Sequence, residues 1–150
     1  MILITLGTQD KQFTRLLDMV QKEINKGNIK DKVVVQAGHT KYESKYMEIF
    51  DLIDREKFSD LISKCDVLIT HGGVGSIITG LQNNKKVIVA PRLAKYDEHM
   101  NDHQLQITEN FSKAGYILPL YENDDLGKVL KDIKSFKPKK FKSLSLIHIS

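Results

Sequence analysis

A single cysteine, Cys65, excludes an internal disulfide and any cysteine-based zinc site in this chain of 150 residues. It stands at the end of a helical pattern, where it reads as a small core residue before it reads as a nucleophile. No apolar run approaches the ~18–20 residues that a membrane-spanning helix needs. The opening Met1-Ile2-Leu3-Ile4-Thr5-Leu6 lacks the basic leader of a signal peptide and reads as a first strand. The expected location is cytoplasmic, with any membrane association peripheral or through a partner. Excess charge is small: a formal +4 favours anionic partners without choosing among nucleotide, nucleic acid or membrane surface. With 41% apolar and 28% charged residues, the composition is that of an ordinary globular domain long enough to bury a core.

Several familiar signatures are missing as well. A dinucleotide fingerprint, G-x-G-x-x-G, should follow the first strand, but that exit reads Gly7-Thr8-Gln9. No Walker A lysine and hydroxyl pair follows His71, and Ser76 does not have the spacing of a G-x-S-x-G nucleophile. Neither an internal repeat nor a linker is visible.

What is there is an alternation of strand and helix patterns. Short apolar runs at residues 2–6, 32–37, 67–70 and 86–90 read as buried strands, with shorter ones at 47–53 and 115–118. Helical spacing appears over residues 12–26, 56–64, 76–83, 99–113 and 126–133. The alternation predicts an α/β fold: one Rossmann-like domain over residues 1–142, its parallel sheet covered by helices on both faces. The lysine-rich run over residues 128–142 reads as a solvated face, and nucleic acid is not an expected partner. Residues 143–150 break the earlier patterning; they look like translated adapter read-through and receive no function.

The most informative stretch is Asp66-Val67-Leu68-Ile69-Thr70-His71-Gly72-Gly73-Val74-Gly75-Ser76. A buried strand ends in a Gly-rich turn, and a helix is expected to start near Ser76. Free N–H groups at a helix N-terminus, with the helix dipole behind them, suit a phosphate or diphosphate. His71 and Ser76 add side-chain hydrogen bonds at the same place. In a parallel sheet, ligands bind beyond the carboxyl ends of the strands. The exits Gly7-Thr8-Gln9, Gly38-His39-Thr40, His71 to Ser76 and Pro91 to Gln104 are therefore expected to converge on one crevice.

The exit after residue 90 contains Glu98, His99, Asp102, His103 and Gln104. His99 and His103 are four apart, as are Glu98 and Asp102, which on a helix places each pair on one face. Such spacing can hold a metal, but no third convergent ligand is evident and no metal is expected. Clustered donors and acceptors suit hydroxyl recognition better, and a solvated helix start with acidic caps remains the alternative.

The segments THGGVGS, KVIVAP and EHMNDHQ together resemble the C-terminal, nucleotide-sugar-binding half of GT-B glycosyltransferases of family 28. The opening ITLGTQDKQFTRLL resembles the short catalytic subunits of two-part glycosyltransferases. One branch of these makes the second sugar of dolichyl-diphosphate oligosaccharides; another works in bacterial capsule and exopolysaccharide synthesis. The resemblance implies an inverting transfer of a hexose from a UDP-sugar to a polyprenyl-diphosphate-linked sugar, with no cofactor or metal. A membrane-anchored partner subunit would supply the acceptor half. Gly7, Thr8, His71, Gly72, Gly73, Gly75 and Ser76 would hold the donor diphosphate. Thr79 stands where relatives often carry an acidic ribose ligand. Glu98, His99, Asp102, His103 and Gln104 would surround the donor sugar, and His39 or His99 is the candidate base. A non-catalytic nucleotide-binding regulatory module is the alternative.

Overall fold

The computed structural model describes residues 1–142; the aberrant ending at 143–150 lies outside the described residues. Among these residues, six strands form one parallel sheet: β1 (Ile2–Thr5), β2 (Val33–Gln36), β3 (Glu48–Phe50), β4 (Val67–His71), β5 (Lys86–Ala90) and β6 (Leu118–Pro119). Their order is β3-β2-β1-β4-β5-β6. Ile4 sits opposite Val35 on one side and Ile69 on the other, so β1 is central. A strand covered on both faces should be apolar throughout, and β1 is buried at every position.

Among the described residues, five α-helices cover the sheet: α1 (Thr14–Asn25), α2 (Arg55–Lys64), α3 (Val74–Gln82), α4 (His103–Lys113) and α5 (Leu126–Ser135). Side chains alternate along each strand and so feed two cores. On one face, Ile2, Ile4, Val33 and Val35 pack with Leu16, Leu17 and Val20 of α1 and Leu126, Leu130 and Ile133 of α5. On the other, Leu3, Val34, Leu68 and Val87 pack with Ile62 of α2, Ile77 and Leu81 of α3, and Ile107 and Phe111 of α4. Each fully buried Leu, Ile or Phe contributes roughly 1.5–3 kcal/mol relative to an exposed one. Cys65 is 2% exposed and lies in the second core, where burial raises its thiol pKa.

Three helix starts differ by two residues or more from the sequence expectation, that of α1 falling at Thr14 rather than residue 12. Helix α3 begins at Val74 rather than Ser76, because Gly73 takes the extended N-cap conformation (φ −75°, ψ 132°). Helix α4 begins at His103 rather than at residue 99. The segment before it is tied into a loop instead. Residues Ala94–Tyr96 make one 3₁₀ turn, and Asp97 closes it in the left-handed region at φ +54°. The Glu98 carboxylate then accepts the Leu93 N–H at 3.0 Å. Helical periodicity cannot begin while these bonds hold, so the pairs His99/His103 and Glu98/Asp102 do not share a helical face.

The sheet order reverses between β1 and β4. Chain exits to either side of such a point diverge and leave a crevice at the carboxyl ends of the strands.

Candidate functional site

A cleft of about 430 Å³ opens at that reversal. Gly7, Thr8 and Gln9 line it from the β1 exit, and His71, Gly73, Gly75 and Ser76 from the β4 exit. Gln36, Leu52, Ile53 and Phe58 form the far wall, and Gln104 closes the back. Of these wall residues the sequence pointed only to Gln104; Leu52, 72% exposed, is an apolar side chain left standing at a strand exit. Among the described residues, the lining contains no Asp, Glu, Lys or Arg.

The first turn of α3 faces this space. It has no side-chain cap and no acidic residue. The N–H groups of Val74, Gly75 and Ser76 belong to the turn that has no intrahelical acceptors. A Cβ built on Gly75 meets nothing within 4 Å, so the backbone there is open to a ligand. The other loop glycines have a different cause. At Gly7 (φ +84°) a Cβ would lie 2.7 Å from His71 Nε2, and at Gly72 it would lie 2.8 Å from the Gln104 side chain. They let the His71 imidazole and the first turn of α4 at Gln104 pack against bare backbone.

His71 is 8% exposed. Its Nδ1 accepts the Gly73 N–H at 3.2 Å and lies 3.1 Å from Gln104 Nε2, while its Nε2 is 3.4 Å from Ser76 Oγ. Burial, reinforced by the nearby Arg92 charge, lowers its pKa to about 4. The ring is therefore neutral near pH 7 and offers a hydrogen bond to the cleft, not a charge.

Behind the cleft lies a residue that sequence reading passed over. Arg92 is fully buried, yet among the described residues no carboxylate bonds its guanidinium. Its Nε and Nη2 donate to the Leu6 carbonyl at 3.2 and 2.6 Å, and Nη1 donates to the carbonyls of Lys11 and Glu98 at 2.8 and 2.9 Å. Burial pulls its pKa down to about 10. Arg92 thereby fastens the loop after β1 to the loop after β5. A charged residue just beyond Pro91 reads as exposed in the sequence; only its carbonyl acceptors, supplied from distant segments, make burial tolerable.

The remaining sequence candidates lie off the lining of the cleft. Gly72 sits directly behind it, its N–H bound to Gln104 Oε1 at 2.9 Å. Glu98 is buried, and its carboxylate accepts Arg15 Nε and Nη2, both at 3.0 Å. His99 is half-buried, its Nδ1 accepting the Asn101 N–H at 3.3 Å, and burial beside Arg92 lowers its pKa. Asp102 and His103 are exposed at the start of α4, with Asp102 accepting the Ala94 N–H. The Thr79 hydroxyl donates to the Gly75 carbonyl at 2.9 Å. His39 is exposed, and its carbonyl accepts Gln12 Nε2. Among the described residues, no three His, Cys, Asp or Glu side chains are arranged to hold a metal ion. No helix among them is long and apolar enough to cross a membrane.

With this geometry in hand, comparison with known proteins gives a consistent result. Residues 1–145 match the family described as "Glycosyltransferase family 28 C-terminal domain". The chain is 32% identical over 124 residues to the "UDP-N-acetylglucosamine transferase subunit ALG13" of Debaryomyces hansenii, covering 83% of this chain and 54% of the relative. It is 32% identical over 77 residues to the subunit of the same name from Candida albicans, covering 51% of this chain and 25% of the relative. The chain thus spans about half the length of the first of these relatives, or less for the second. Among solved structures, the NMR solution structure of ALG13 superposes with a TM-score of 0.60 at 22% identity, over 95% of this chain and 89% of that one. The glycosyltransferase SnogD from Streptomyces nogalater gives 0.57 at 19% identity, over 91% of this chain and 40% of that one. At these identities the likeness concerns the fold.

Proposed function

Because the chain belongs to the glycosyltransferase family 28 C-terminal domain family, we propose that it is the donor-binding, catalytic subunit of a two-part UDP-sugar-dependent hexosyltransferase. The observation that carries this reading is the uncapped first turn of α3, opening through Gly75 into a cleft at the sheet reversal. The diphosphate would lie on the N–H groups of Val74, Gly75 and Ser76, with Ser76 Oγ and His71 as side-chain donors. The base would rest on the apolar wall of Leu52 and Ile53, and the ribose would reach toward Thr79. The hexose would extend toward Asp102 and His103 at the start of α4, with Glu98 and Gln104 holding that loop in place.

In the reaction, the acceptor hydroxyl oxygen attacks the anomeric carbon with inversion as the bond to the diphosphate breaks. UDP leaves with the electron pair. The charge that develops on it meets preorganised N–H donors and a helix dipole, which needs no metal. The acceptor proton must go to a base. Among the described residues, the cleft lining has no carboxylate, and its one histidine is hydrogen-bonded at Nδ1. Both facts support a base reaching the cleft from outside its lining: from His99, from His39, or from the second subunit that would bring the polyprenyl-diphosphate-linked sugar. The enzyme would then work at the inner membrane face, held there by that partner. Cell-surface polysaccharide assembly, such as capsule or exopolysaccharide synthesis, is the proposed setting. The names of the relatives make UDP-N-acetylglucosamine the first donor to try.

The test is calorimetric titration of the chain with UDP and with UDP-N-acetylglucosamine, UDP-galactose, UDP-glucose and UDP-glucuronate. UDP should bind, and Ser76→Ala should weaken it by about 1 kcal/mol, the worth of one hydrogen bond. Equal affinity for wild type and Ser76→Ala would remove the diphosphate from this turn. Binding without turnover under any pairing would favour a nucleotide-binding regulatory module.

A further inference from the structure

We infer that Gln104 is a positioning residue that sets the tautomer of His71, holding its proton on Nε2 so that the ring presents a hydrogen-bond donor to the cleft. A backbone N–H group can only donate. Gln104 Oε1 lies 2.9 Å from the Gly72 N–H and 3.1 Å from the Arg92 N–H. Two donors converging on one atom require it to be the oxygen, which fixes the amide orientation. Its Nε2 then faces His71 Nδ1 at 3.1 Å with a proton to give. The Gly73 N–H reaches the same Nδ1 at 3.2 Å. A nitrogen that receives two donors cannot carry a proton, so in the neutral ring the proton sits on Nε2, next to Ser76 Oγ.

Three backbone N–H groups, from Gly72, Gly73 and Arg92, thus dictate the protonation pattern of a side chain in the cleft. Gln104 relays that order from the exits of β4 and β5 to the ring. It is 4% exposed, and its oxygen has both acceptor positions filled, which leaves it little to offer a ligand directly. The titratable groups facing His71 are Arg92 and His99, both from the loop after β5, and both oppose a second proton on the ring. That His71 Nε2–H is aimed at a diphosphate rests on the proposed function; the tautomer itself does not.

The experiment is ¹⁵N NMR of the imidazole in the full chain, read across a pH titration. In wild type, Nδ1 should resonate as the unprotonated nitrogen and Nε2 as the protonated one. In Gln104→Glu the carboxylate keeps the Gly72 and Arg92 N–H bonds but turns an acceptor toward Nδ1. A proton should then appear on Nδ1, and the His71 titration should rise by about one unit or more. In Gln104→Met, which removes the donor and adds no acceptor, the two nitrogens should move toward a tautomer average. A wild-type ring protonated on Nδ1 overturns the assignment, whether or not either variant folds. Unchanged ¹⁵N shifts in a folded Gln104→Glu or Gln104→Met would assign the tautomer to Gly73 alone and sink the role of Gln104. Titration of wild type with UDP is read separately: its failure counts against the proposed function and leaves the tautomer result standing.

Discussion

At the scale of single residues, the site depends on polar groups buried with well-defined partners. His71 has a folded pKa near 4 against an ordinary 6.5. Between these values the unfolded chain binds the extra proton, so stability rises with pH across that window. The contribution is fully present above about pH 6.5 and declines as pH falls toward 4. Its full size is about 3 kcal/mol from the shift alone. Thermal melts from pH 4 to 7 should therefore show a steeper fall for wild type than for His71→Gln; parallel curves would mean that the ring titrates normally. Glu98 poses the opposite problem, a buried carboxylate whose cation is Arg15. Arg15→Ala leaves that charge with only the Leu93 N–H. Urea denaturation should show a loss of about 3–5 kcal/mol, as for other broken buried pairs. A loss below ~1 kcal/mol would mean that Glu98 is reached by water in the variant.

At the scale of elements, the starts of α3 and α4 decide what the site can bind. Gly73 and Gly75 flank the same N-terminal turn with opposite expectations. A Cβ at Gly73 runs into the His71 ring, whereas one at Gly75 enters open space. Gly75→Ala should leave folding unchanged or raise stability by roughly 0.5–1 kcal/mol, since alanine suits a helix better than glycine. The same methyl would occupy the place proposed for the diphosphate. UDP affinity should drop about tenfold, near 1.4 kcal/mol. A variant that is both stable and fully competent to bind UDP would move the ligand off this turn. Helix α4 teaches a different lesson. The pattern over residues 99–113 looked helical throughout, but Glu98 and Arg92 hold the preceding residues in a loop. His99 and His103 therefore lack the shared face that a helical pair would need to grip one ion or one sugar.

At the scale of the whole molecule, the cleft lies at one end of the sheet and, among the described residues, has no carboxylate in its lining. A glycosyl transfer needs a base and an acceptor as well as a donor site, so the proposed activity calls for a second surface over this end. The expected outcome is nucleotide binding by the chain alone, with transfer to a polyprenyl-diphosphate sugar appearing only when the cognate partner is added. A radiolabelled-donor assay with and without that partner checks it. Turnover by the isolated chain would place the base on one of its own residues, with His99 the first to replace.

The sequence by itself determined the alternation of strands and helices, the parallel sheet, and the Gly-rich turn between β4 and α3. These are local matters: apolar periodicity and turn chemistry act over a few neighbouring residues and are written in order along the chain. It also pointed to His71, Ser76 and Gln104. Tertiary structure alone decided what those residues do. Arg92 is buried because carbonyls of Leu6, Lys11 and Glu98 meet around it. Gln104, expected from the sequence beside a donor sugar, accepts the Gly72 and Arg92 N–H groups. Helix α4 starts late because Arg15, far away in α1, pairs with Glu98 and anchors the loop before it. The role of a polar side chain follows from the partners that distant segments bring to it, and spacing along the chain does not encode those partners.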